Sequence, residues 1–113
     1  MMNGYNKDEA LAYILSRVRV KDHEDLKDLI PQLISQAIDA DMKFMHENGV
    51  LDADGNAGDS YYDDDDAFEF MVEELTTVNN LNPETAVKLA SLIDDYMDYQ
   101  QEYLESKGLV DWD

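Results

Sequence analysis

One phrase occurs twice in this chain and constrains its fold more than any other feature. Residues 44–54 read FMHENGVLDAD and residues 103–113 read YLESKGLVDWD. Each has an aromatic-aliphatic pair, three polar residues, a glycine, two aliphatics, and two aspartates separated by one residue. The pattern describes the end of a long helix. A glycine at Gly49 or Gly108 adopts the left-handed conformation that closes a helix, and the aliphatic after it, Val50 or Leu109, folds back onto the last turn. A second correspondence precedes the first: residues 8–15, DEALAYIL, match residues 65–72, DDAFEFMV. The offsets are 57 and 59, so two matched segments recur in the same order. An internal duplication follows, with repeat one at about 6–50, a connecting loop at 51–62 and repeat two at about 63–109.

Within each repeat the apolar positions have helical spacing. Asn6 is placed to cap the first helix, with Glu9 completing a capping box, and residues 10, 11, 14, 15 and 18 form its stripe. Asp22 is expected to cap the second helix, whose stripe runs from Leu26 to Met45 and continues in phase across Pro31. Proline removes an amide donor and crowds the preceding turn, so either the helix kinks near Pro31 or a short helix over 23–29 is followed by a longer one from about 31; the continuity of the stripe favours the kink. The third helix is expected over roughly 63–78, its first-turn carboxylates facing the positive end of the helix dipole. Asn82 and Pro83 open the fourth, which runs to about Ser106. Strand-like alternation is absent from the sequence. The expected fold is therefore all-α: a single domain over 1–113 made of two tandem αα-hairpins related by a pseudo-two-fold axis, each covering the other's apolar face.

Charge bears on function. The chain carries 27 acids against 8 Lys and Arg, a formal net charge of −19. The excess is lopsided, with eighteen of the acids and only two of the bases beyond residue 50. Such a surface repels phosphate backbones and anionic lipids, which argues against direct nucleic-acid or membrane binding. There is no cysteine, hence no disulfide, thiolate metal site or cysteine nucleophile. With no visible secretory signal and no apolar run of membrane-spanning length, a cytoplasmic protein is expected.

Three sets of residues stand out as candidate sites. Asp41 interrupts the apolar seam of the second helix, and the aligned position in the fourth is Gln100. The two either form a buried polar pair that sets helix register or lie solvated at the stripe edge, the commoner place for a charge. Asp63, Asp64, Asp65 and Asp66, together with Tyr96, Tyr99 and Tyr103, could form an interaction surface, since tyrosine joins apolar area to a polar tip; the same spacing also fits packing. Counting Asp52 as the first position of a calcium loop places Asp54, Asn56, Ser60 and Asp63 at ligand positions. Against it, the sixth position is Ala57 where a glycine is needed, and the last is an aspartate, shorter than the usual glutamate. An ordinary turn reads better, with no other cofactor indicated.

Catalysis finds no motif. The residues three before His23 and His46 are Val20 and Lys43, so the Glu-x-x-His pairs of di-metal bundles are missing, as are HExxH helices, nucleophile elbows and phosphate-binding loops. A non-enzymatic protein-interaction module with a basic partner is the leading expectation, and homodimerisation is compatible with it. The alternatives are a decoy that imitates the phosphates of DNA and a weak calcium-binding helical protein.

Overall fold

The computed structural model describes residues 4–56 and 58–109. Val110–Asp113, the close of the second phrase, and Ala57, the sixth position of the calcium-loop reading, lie outside the described residues. The chain forms α1 (Lys7–Arg17), a 3-10 segment (Val20–Leu26), α2 (Ile30–Glu47), α3 (Asp64–Val78) and α4 (Pro83–Ser106). Among the described residues there is no strand, and no helix is long and apolar enough to cross a membrane.

Polar side chains start three of the helices. Asn6 accepts the amide of Glu9 at 3.0 Å, Asp63 that of Asp66 at 3.1 Å, and Asn82 that of Thr85 at 2.8 Å. Each bond satisfies one amide that has no partner inside its helix. The capping box expected at Glu9 does not close, because its carboxylate pairs with Lys107 instead.

The second helix departs from expectation in a specific way. Pro31 lies in the first turn of α2, where its missing amide costs no helical hydrogen bond, so it opens a helix rather than bending one. The residues before it form the 3-10 segment, interrupted at His23 (φ −137°, ψ 39°). Asp22 lies inside that segment and caps nothing in α2. The apolar pattern ran through the proline because the 3-10 segment buries Leu26 in the same core as Ile30 and Leu33.

The helix ends repeat one another. At the close of α2, the amides of Asn48, Gly49 and Val50 bond to the carbonyls of Phe44, His46 and Met45; at the close of α4, those of Lys107, Gly108 and Leu109 bond to Tyr103, Glu105 and Leu104. Both glycines have positive φ, +75° and +66°. The long bond from the residue after each glycine back over the last turn defines this cap. Asn80 (φ 50°) does the same work after α3, with Leu81 bonding back to Thr76.

In the packed molecule α1 and α3 each contact both α2 and α4, α2 and α4 also meet each other, and the 3-10 segment lies on α4. The extents are 37 × 25 × 23 Å, so α4, about 36 Å long at 1.5 Å per residue, runs the full length. Ala10 and Ile14, Leu33 to Ile38 on one face of α2, Ala67, Met71 and Leu75, and Leu89, Leu92, Ile93 and Tyr96 form one continuous core. Truncating a wholly buried member such as Ile34 to alanine removes about 2–5 kcal/mol. A smaller cluster of Met42, Met45 and Leu51 seats the start of the α2–α3 connection.

Candidate functional site

A connected set of polar side chains lies inside the core. Asp41 on α2 and Gln100 on α4 are 2% and 3% exposed, so both are buried rather than solvated at a stripe edge. They do not bond to each other directly. Gln100 donates its Nε2 to the hydroxyl of Tyr96 at 3.1 Å, and Tyr96 donates to Asp41 Oδ2 at 2.9 Å. The other carboxylate oxygen accepts the hydroxyl of Tyr62 at 2.7 Å, and Gln100 Oε1 accepts that of Tyr5 at 3.0 Å. Tyr5, Gln100, Tyr96, Asp41 and Tyr62 thus form one chain of donors running toward a single carboxylate from each side.

Burial pushes the Asp41 carboxyl up to about 6, against which the hydroxyls of Tyr62 and Tyr96 pull it down; the charge of Asp64 adds a smaller upward push. Burial first, and the Asp41 charge beside them, hold the phenols of Tyr62 and Tyr96 well above the ordinary tyrosine range. Burial also raises Tyr5, against its bond to Gln100. All three tyrosines therefore remain protonated donors at neutral pH.

Tyr5 and Tyr62 are the members that periodicity could not supply. Each sits immediately before a cap residue, Asn6 or Asp63, outside the helical stripe. An apolar residue at that position, where it can pack back onto the first turn, is a recognisable helix-entry pattern and is the signal that marks both.

The expected interaction surface is corrected in part. Tyr96 is wholly buried and Tyr103 is 2% exposed, with Tyr103 packed against the rings of Tyr5 and Tyr13 at 5.6 and 5.7 Å. Neither can meet a partner. Tyr99 is half-buried against the core. Asp63, Asp64, Asp65 and Asp66 are exposed, and the aromatic ring beside them in solvent is Tyr61, 98% exposed. Tyr61 projects outward from a segment whose next residue is tied into the core.

On α4 the exposed side carries Asp94, Asp98, Glu102 and Glu105. The first three are one turn apart, about 6 Å along the axis. Burial, then the charges of Asp94, Asp95 and Glu102, raise the Asp98 carboxyl. Among the described residues no ion pair reaches Asp94 or Asp98, whereas Lys7, Lys43, Lys88 and Lys107 are all paired to other carboxylates.

The calcium-loop residues do not converge. Asp52 Oδ1 accepts the amides of Asp54 and Asn56 at 2.9 and 3.0 Å, as a turn-forming aspartate does, and Asp63 is engaged as the cap of α3. Among the described residues no group of three or more His, Cys, Asp and Glu could hold a metal ion. His23, buried, meets Asp95 at 2.6 Å through Nε2 and, with the Lys88–Asp25 pair at 2.8 Å, clips the 3-10 segment to α4. Comparison with known proteins gives no match to a family model, a curated protein or a solved structure.

Proposed function

We propose that this protein is a non-catalytic interaction module that engages a basic protein surface through the acidic outer sides of its second half. The single observation that carries the proposal is the row of exposed carboxylates on α4, where among the described residues no cation pairs with Asp94 or Asp98, and where burial first and the neighbouring carboxylates second raise Asp98. Like charges one turn apart destabilise a helix by a few tenths of a kcal/mol per pair. A partner's Lys and Arg side chains would relieve that repulsion. Tyr61, beside the exposed carboxylates at the start of α3, offers an aromatic contact of the kind that anchors interfaces.

Its scaffold, in the same proposal, is a duplicated αα-hairpin with a pseudo-two-fold axis. Support comes from matched positions: Tyr5 with Tyr62, Asn6 with Asp63, Ala10 with Ala67 and Ile14 with Met71 at one offset, and Ile34 with Ile93, Asp41 with Gln100 and Gly49 with Gly108 at the other. Each pair takes the same place relative to its helix, before or at the cap, within the buried face or after the last turn. The bonds Tyr5–Gln100 and Tyr62–Asp41 cross between the halves in matching fashion.

Affinity capture from the source cells with the native protein and with an Asp94→Asn/Asp98→Asn/Glu102→Gln variant tests the proposal. A specific partner, retained at physiological salt by the native protein and lost by the variant, is expected. Equal recovery by both removes the α4 carboxylates from the account. Should the partner bind DNA, competition between the protein and DNA that weakens steeply with salt would identify the decoy form of the same activity.

A further inference from the structure

Asp41 is a buried carboxylate with no cation beside it among the described residues. From α1, Lys7 is taken by Asp39; from α2 itself, Lys43 is taken by Glu74. The chain ahead of α1 offers Tyr5 through Gln100, α4 offers Tyr96, and the α3 side offers Tyr62 and the negative charge of Asp64. Among the described residues its charge is held by two hydroxyls, those of Tyr62 and Tyr96. The matched position in α4 carries a neutral amide, Gln100, which meets the same geometric demand without a buried charge. An acid at this place gives the core something an amide cannot: a proton that comes and goes.

We propose that Asp41 is a proton-operated latch, in which proton binding secures the packing of α2 against Tyr62 and α4 and proton loss loosens it. Any opening that admits water to Asp41 makes its charge cheaper to hold, so the open form favours the ionised acid and the closed form the protonated one. Protonation therefore favours closure. The segment from Gly58 to Tyr62 is the part that yields first, because Tyr62 is half-buried while Tyr96 is wholly enclosed. Among the contacts that hold it are the amide of Gly58 on the Val50 carbonyl at 2.8 Å, the amide of Ser60 on Gly49 at 3.1 Å, the Tyr62 ring edge-on to Phe44, and the Tyr62 hydroxyl on Asp41. With Asp41 near 6 when enclosed and near its ordinary 3.8 when wet, the closed-to-open ratio rises about tenfold between about pH 7.5 and about pH 5.

Amide hydrogen exchange on the intact protein, corrected for the intrinsic effect of pH, tests the latch. The protection of the Gly58 and Ser60 amides is expected to rise about tenfold over that pH range in the native protein and in an Asp64→Asn control. In Asp41→Asn, which is neutral at both values, the rise is expected to be absent. The same rise in Asp41→Asn, or no rise in the native protein, overturns the proposal. Should Asp41→Asn not fold, the carboxyl-carbon NMR signal of Asp41 in the native protein decides. It is expected to titrate above the exposed aspartates, with the ring signals of Tyr62 and Tyr96 moving at the same midpoint. Titration together with the exposed aspartates overturns the latch.

Discussion

Asp41 and Gln100 are joined through a third residue: the Tyr96 hydroxyl donates to the carboxylate at 2.9 Å and accepts from the amide at 3.1 Å. One hydroxyl thus satisfies two buried groups on two different helices. Removing it leaves the Gln100 Nε2 without its acceptor and Asp41 with one donor in place of two. Tyr96→Phe is expected to cost about 2–3 kcal/mol at neutral pH, more than the loss of an ordinary hydrogen bond. Urea unfolding checks the figure; a cost below about 0.5 kcal/mol would mean that neither group depends on the hydroxyl.

The pH dependence of global stability follows from the same carboxylate. A carboxyl held at about 6 in the fold and 3.8 when free takes up a proton on folding between those values. Its stabilising contribution is fully present below about pH 4 and is lost as pH rises through about 6. Between about pH 5 and about pH 7.5 the loss is about 1.4 kcal/mol. Asp64 and Asp98, also raised, act in the same direction, and the lowered Glu9 acts against them. Urea midpoints are expected to fall over this range in the native protein and to fall less in Asp41→Asn.

The two matched glycines are expected to differ in their tolerance of a side chain. Both have positive φ, so alanine at either costs about 1 kcal/mol from backbone strain. At Gly108 an added methyl meets nothing within 4 Å, whereas at Gly49 it comes within 3.1 Å of the Ser60 hydroxyl oxygen. Gly49→Ala is therefore expected to destabilise the protein more than Gly108→Ala in parallel thermal melts. Equal costs would show that the Ser60 segment shifts freely.

Thr76 presents the opposite opportunity. Its hydroxyl oxygen is buried and has no hydrogen-bond partner among the described residues, so its desolvation goes uncompensated. Thr76→Val keeps the shape and removes the polar atom, and is expected to raise stability by about 1 kcal/mol. A loss of stability on the same melt would show that the hydroxyl is satisfied in solution.

Much of this architecture is legible in the sequence because helix ends are written in local chemistry. Asn6, Asp63 and Asn82 precede amides they can cap, and Gly49 and Gly108 occupy the one conformation other residues avoid. Apolar spacing likewise marks Ile14 and, within the α2 stripe, Ile34 as core residues. Spacing alone could not separate a kink at Pro31 from a fresh start there, because the 3-10 segment continues the same buried face with Leu26. Nor could it tell that the tyrosines at 96 and 103 point inward, since helical spacing marks a face without identifying the groups that receive a hydroxyl. The acceptors, Asp41 and Gln100, were visible as a pair, but their donors come from distant segments. Tyr5 lies 95 residues from its partner. The His23–Asp95 clip, 72 residues apart, was hidden for the same reason.

The most direct measurement is a double-mutant cycle between Asp41 and Tyr62, using Asp41→Asn, Tyr62→Phe and the pair together, by urea unfolding at neutral pH. A hydroxyl donating to a buried, charged carboxylate at 2.7 Å predicts a coupling of about 1–3 kcal/mol. Single-variant effects that add to within about 0.3 kcal/mol would mean that the bond is energetically silent and that it contributes nothing to holding the start of α3 against α2.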